Sequence, residues 1–176
     1  MKNKQSWSQK VKSKSFWMKL ARDLLLMIIL ITGLSIYLQR NMASGKAPNI
    51  QGMLLTGKGV DLAIQASPEP TLVYFWGSWC GYCKVTSPMV NTLAKNHQVI
   101  SIAVASGTNA QVANYLQANQ LSFPTINDED NSITQQWGVS GVPAIFIVNK
   151  DGNITAKTTG PTSKWGMQFR LWLAKY

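Results

Sequence analysis

The sequence has little acid, almost no histidine and few cysteines: seven Asp plus Glu, one His and two Cys in 176 residues. Two cysteines exclude a disulfide-dense scaffold and any zinc site built on four thiolates. Only 14% of residues are charged, whereas 45% are hydrophobic and 10% aromatic, so the chain can bury a core and lacks the composition of a disordered protein. At this length one domain of about 100 to 150 residues with an attached segment is expected. There is no internal repeat, no Gly-rich phosphate loop and no pattern for a Ser-His-Asp triad. The acid deficit leaves a formal charge of +10, which on a small protein invites a nucleic-acid reading.

The position of the charge removes most of that reading's support. Residues 1–40 hold eight Lys or Arg and a single acid, Asp23, for a net +7, whereas residues 41–176 carry only +3. The basic stretch runs straight into Leu24–Leu38, fifteen residues without a charge. A hydrocarbon core of roughly 30 Å asks for about 20 helical residues, and the flanks supply the remainder: Trp17, Met18, Leu20 and Ala21 are apolar, while Lys19 and Arg22 can snorkel to headgroups. A cleaved export signal is the competing reading, but Gln39 and Arg40 stand where a small-residue cleavage site would be expected. Both readings give one topology, because the seven Lys or Arg before the run keep the N-terminus cytoplasmic and send the rest out. The expected organisation is a cytoplasmic basic segment at 1–22, a transmembrane anchor at 23–40, a linker at 41–50 and a folded domain at 51–176. No nucleic-acid partner is expected, and residues 1–22 could at most meet anionic lipid headgroups.

The exported part alternates between strand and helix. Met53–Ile64 predicts a hairpin turning at Thr56-Gly57-Lys58-Gly59, and Thr71–Trp76 (TLVYFW) reads as a strand buried on both faces. A helix follows from Cys80 to about Lys95, with Val85, Met89 and Leu93 on one side and a kink expected at Pro88. Val99–Val104 predicts a strand, Thr108–Asn119 a helix, Phe123–Ile126 a strand and Asn131–Trp137 a short helix. Ala144–Val148 and Ile154–Thr158 should form a hairpin across Lys150-Asp151-Gly152. The last helix should begin at Thr162 or Ser163. Its aromatic stripe, Trp165, Phe169, Trp172, Leu173 and Tyr176, is expected to be core packing. This order belongs to an α/β domain with a mixed sheet, whose chemistry should sit where a strand ends and a helix begins.

Both cysteines occupy such a place, in Trp79-Cys80-Gly81-Tyr82-Cys83. The spacing puts them within disulfide reach across one helical turn, and a helix N-terminus favours thiolate at Cys80. Cys83, one turn deeper, should be shielded and able to resolve a mixed disulfide on Cys80.

The run Phe75-Trp76-Gly77-Ser78-Trp79-Cys80-Gly81-Tyr82-Cys83-Lys84, with Pro88 and then Gly141-Val142-Pro143-Ala144-Ile145-Phe146, resembles the thioredoxin superfamily. The added strand and helix between Thr108 and Trp137 are similar to its membrane-anchored, exported branch (TlpA and ResA type), and the whole chain to the suppressor of copper sensitivity protein D group. The resemblance implies a thioredoxin fold, a mixed central sheet flanked by helices, behind one N-terminal transmembrane helix. It implies catalysis by Cys80 and Cys83 as a redox-active disulfide, with no metal and no other cofactor. It also implies substrate binding around Trp79, Gly81, Tyr82, Val142 and Pro143, with Pro143 as a cis-proline and Val142 offering its backbone to an extended peptide. From position alone, Pro143 could equally be an edge or turn proline. The implied location is a bacterial inner membrane with the domain in the periplasm. The implied partners are exported cysteine-containing proteins and a membrane electron donor or acceptor, and the group's name implies a tie to copper tolerance.

Two departures from the superfamily pattern stand out. Tyr74 occupies the strand position where thioredoxins carry a buried acid, and no Glu lies between Trp137 and Val148. The Gly81-Tyr82 pair resembles periplasmic isomerase sites more than cytoplasmic reductants. Two other classes stay open: a Cu(I)-binding module using the same thiolates, with Met89 and His97 too distant in sequence to flank them closely, and a structural disulfide in an interaction domain. Asn153-Ile154-Thr155 matches a glycosylation pattern and is read as chance.

Overall fold

The computed structural model describes residues 14–57, 59–62 and 68–176. The basic residues Lys2, Lys4, Lys10 and Lys12, the expected turn residue Lys58 and the strand end at Ala63 and Ile64 lie outside them. The chain divides into two compact units, Met1–Arg40 and Asn41–Tyr176.

In the first unit α1 (Lys14–Gln39) is one continuous helix of 26 residues, about 39 Å long at the α-helical rise. By length and composition its segment Phe16–Gln39 could cross a membrane. Its side chains are exposed almost throughout, as suits a helix whose solvent would be lipid. Close to its end the Arg40 guanidinium lies 4.0 Å from the centre of the Tyr37 ring, an amphipathic pair of the kind that belongs at a membrane interface.

The second unit contains a six-stranded mixed sheet in the order β1-β8-β7-β4-β5-β6. Its strands are β1 (Gly45–Lys46), β4 (Thr71–Trp76), β5 (Gln98–Val104), β6 (Thr125–Asp128), β7 (Ala144–Val148) and β8 (Asn153–Thr159). A separate hairpin, β2 (Ile50–Met53) with β3 (Gly59–Leu62), starts three residues earlier than expected. It reaches the main sheet through a bridge from Leu54 to Ile126 and a bond from the Leu55 N–H to Thr125 O of 3.0 Å. The helices are α2 (Gly81–Leu93), α3 (Asn109–Ala118), α4 (Ser132–Gln136) and α5 (Lys164–Leu173). Strands β4, β5 and β6 run parallel, while β7 is antiparallel to both β4 and β8. The mixed thioredoxin-like fold expected from the sequence is thus present.

Strand β4 is central and its six side chains are all buried. Alternation divides them between two cores. Leu72, Tyr74 and Trp76 face α2, α3 and α5, packing with Cys83, Val90, Val112, Leu116 and Leu171. Val73 and Phe75 face the other way, with Met42, Trp137 and Phe146. Phe75, Phe146 and Trp137 form a tight aromatic group there, with the Trp137 and Phe146 ring centres 4.8 Å apart.

Three expectations need correction. The stretch 41–50, expected to be a linker from its small polar composition, is woven into the domain: Met42, Ala47 and Ile50 are buried, and Gly45 and Lys46 pair with Ile154 and Asn153. The aromatic stripe of α5 is not core. Met167, Leu171 and Ala174 face the sheet, whereas Trp165 is 80% and Tyr176 95% exposed, with Phe169, Trp172 and Leu173 also on the outside. This helix is apolar on two opposite sides, and periodicity cannot say which one packs. In α2 the buried positions are Cys83, Thr86, Ser87, Val90 and Leu93, while Val85 is exposed. Thr86 is admitted to the interior because its hydroxyl donates to Tyr82 O at 3.1 Å.

Candidate active site

The end of β4 and the start of α2 are joined by Gly77, Ser78, Trp79 and Cys80. Cys80 is the N-cap of α2, with extended backbone (φ −87°, ψ 112°), and its sulfur accepts the Cys83 N–H at 3.1 Å. The N–H groups at this helix end lack carbonyl partners, so the cap site carries positive potential. Cys80 and Cys83 are joined as a disulfide with Cα atoms 5.2 Å apart. The two sulfurs differ in access: Cys80 is 6% exposed and Cys83 fully buried.

Trp79 and Tyr82, adjacent to the cysteines in the chain, are 62% and 68% exposed. The Trp79 indole is held on one side, its Nε1–H donating to Val104 O at 3.2 Å. The same carbonyl accepts the Ser106 hydroxyl at 3.0 Å, and Ser106 Oγ in turn accepts the Ser78 N–H at 3.0 Å. Gly77 is a close approach, because a Cβ there would come within 2.7 Å of the Trp79 ring. Gly81 is exposed, with open space where a side chain would be. Sequence reasoning missed Ser106, Val104 and Gly77. Only Gly77 carried a local signal, a glycine two residues ahead of an exposed Trp, since Ser106 and Val104 arrive from a separate strand end.

Val142 and Pro143 come from the loop before β7. The Val142–Pro143 bond is cis, and Val142 O lies 3.6 Å from Cys80 Sγ. Pro143 is buried and its carbonyl accepts the Gly160 N–H at 2.8 Å. Every sequence-derived site residue therefore lies at one end of the sheet: Trp79, Cys80, Gly81, Tyr82 and Cys83 from the β4–α2 junction, Val142 and Pro143 from the facing loop.

In the core that also contains both cysteines, at the strand position where an acid would be expected in thioredoxins, Tyr74 is fully buried and its hydroxyl is 2.9 Å from Ser87 Oγ. Burial pushes the Tyr74 phenol well above its ordinary range, against a smaller lowering by the Ser87 bond. The position is thus filled by a neutral hydroxyl pair. Trp76 continues this polar line, with Nε1–H donating to Ser101 Oγ at 3.1 Å and Ser101 in contact with Thr125 Oγ1 at 2.8 Å. Among the described residues no three His, Cys, Asp or Glu side chains gather as a metal site.

A sequence model described as Redoxin matches residues 42–168. The chain belongs to the redoxin family. A thioredoxin-like protein of Haemophilus influenzae is 38% identical over 155 residues, covering 88% of this chain and 92% of the relative. The thiol-disulfide oxidoreductase ResA of Bacillus subtilis is 29% identical over 147 residues, covering 78% and 82%. The crystal structure of a candidate thiol:disulfide interchange protein DsbE from Chlorobium tepidum superposes with a TM-score of 0.67 at 24% identity, covering 77% of this chain and 99% of that one. This redoxin is a thiol-disulfide oxidoreductase of thioredoxin-like fold, and its Cys80–Cys83 pair sits at the strand–helix junction.

Proposed function

We propose that the chain is a membrane-tethered periplasmic oxidoreductase that exchanges disulfides with exported proteins through Cys80-Gly81-Tyr82-Cys83. The observation that carries this reading is the asymmetry of the pair, with Cys80 at the helix cap and Cys83 buried one turn inside. In the reduced protein the Cys83 N–H and the helix end favour the Cys80 thiolate. That thiolate attacks one sulfur of a client disulfide, forming a mixed disulfide and releasing one client thiolate. Cys83, as thiolate, then attacks Cys80 Sγ, closing Cys80–Cys83 and releasing the second client thiolate. Two electrons pass to the client, and the two protons lost by the cysteines end on its thiols. The reverse sequence oxidises a client dithiol.

Val142 serves as the docking edge for the client backbone, supported by its carbonyl beside Cys80. Trp79 and Tyr82 supply apolar walls, and their exposure suits contact with a partner. Neither a metal nor an added cofactor enters these steps. The tether is supported by the length and apolar composition of α1, and the basic excess ahead of it supports an orientation with the domain outside the inner membrane. We further assign the chain to the suppressor of copper sensitivity protein D group, with exported cysteine-containing proteins as clients, a membrane electron donor or acceptor as partner and a role in copper tolerance. Cu(I) storage by the same pair is less well supported, because Cys83 is buried and, among the described residues, no three His, Cys, Asp or Glu side chains gather as a metal site.

Turnover of insulin disulfides by the full chain in detergent tests the chemistry. The wild type should catalyse reduction and Cys80→Ser should not; equal rates would overturn the reading. Protease cleavage of the domain in spheroplasts but not in intact cells tests the location, and copper-sensitive growth of a deletion strain tests the physiological tie.

A further inference from the structure

We propose that Asn41, Met42 and Ala43 form a strap that positions the Val142 loop against Cys80, so that the segment entering the domain is part of the working site. The inference rests on the reading of Val142 as the docking edge. Met42 is only 4% exposed, seated in the core that contains Trp137 and Phe146. The Ala43 N–H donates to Trp137 O at 2.9 Å, and the Lys157 ammonium donates to Met42 O at 2.8 Å. One residue earlier, the Asn41 carbonyl lies against Gly138 so closely that a Cβ at Gly138 would overlap it.

Trp137 and Gly138 begin the run that ends at Val142 and Pro143. The far end of this run is held by the end of β8 and the residue after it, through Thr159 Oγ1–H to Gly141 O at 3.5 Å and Gly160 N–H to Pro143 O at 2.8 Å. Lys157 lies on the same strand, two residues before Thr159. One strand therefore supports the Val142 loop directly at its end and, through the strap, at its beginning. Between Val139, which is buried, and Val142 only Ser140 and Gly141 intervene, both exposed. Such a short span passes a shift at its start on to Val142, and small misplacement at a reacting centre is costly.

The strap acts on docking rather than on the sulfur chemistry itself, which separates it from a merely structural element. Lys157→Met keeps an apolar stem of similar length and removes the donor, and Lys157→Arg restores one. Pre-reduced full chain in detergent is mixed with insulin or with oxidised glutathione, and the second-order rate is followed for each. The wild type should favour insulin. Lys157→Met should lose about tenfold on insulin while staying within about twofold on glutathione, and Lys157→Arg should recover the insulin rate. Unchanged insulin rates, or equal losses on both disulfides in step with a lower Tm, would overturn the strap. A wild type with no preference for insulin would instead refute the docking edge itself, a result distinct from a preference that survives Lys157→Met.

Discussion

The Cys80 sulfur lies 3.6 Å from the carbonyl oxygen of Val142, across 62 residues of sequence. They meet because β4 and β7 are antiparallel neighbours with Phe75 opposite Ala144. The end of one strand and the approach to the other therefore share one end of the sheet. Cys80 faces this loop while Cys83 points into the core, so the two thiols should differ in reactivity. In the reduced protein at neutral pH, iodoacetamide should modify Cys80 at least about tenfold faster than Cys83. Peptide mass mapping over a time course reads the ratio, and equal rates would contradict the asymmetry.

Tyr74 and Ser87 give a pH prediction. Burial raises the phenol above its ordinary value of 10.0, so the unfolded chain releases this proton first as pH climbs. Stability is fully present below about pH 10 and declines above it, because the native state then holds the extra proton. Tyr74→Phe should cost about 1 kcal/mol at neutral pH through the lost Ser87 bond and should flatten the decline above pH 10. Urea titrations at pH 8 and pH 10.5 check both effects.

The two sides of α5 should respond unequally to truncation. Leu171→Ala, at 1% exposure, should cost about 2–5 kcal/mol. Trp172→Ala, at 53% exposure, should change stability by less than about 0.5 kcal/mol despite the larger side chain. Thermal unfolding of the two variants decides which side packs.

Asp128 holds the start of α4. Its carboxylate accepts the Ile133 and Thr134 N–H groups at 3.0 and 2.8 Å, together with the Thr134 hydroxyl, all in a buried setting. Asp128→Ala should cost about 2–3 kcal/mol, since it strands several buried donors at once. Chemical denaturation gives the value, and a loss below about 0.5 kcal/mol would contradict this account.

Much of the site was legible in the sequence because it is local. Trp79 through Cys83 are consecutive, and the β4 run announced a doubly buried strand ending there. Val142 and Pro143 were placed through a family pattern, not through periodicity. Features that depend on which of two apolar sides finds a partner were not legible, as with Trp165 and Phe169 outside and Met167 and Leu171 inside. Nor was the role of 41–50, whose small polar residues look like a linker until β8 supplies an edge for Gly45 and Lys46. Asp128 gave no local signal, because its donors become partners only once α4 is folded against the end of β6.

The most direct test of the central claim is to trap clients on the full chain in cells with either cysteine replaced. Cys83→Ser should accumulate mixed disulfides attached at Cys80, resolved by dithiothreitol, and Cys80→Ser should accumulate none. Mixed disulfides of equal yield on both variants, or on Cys83 alone, would contradict the assignment of Cys80 as nucleophile and Cys83 as resolving thiol.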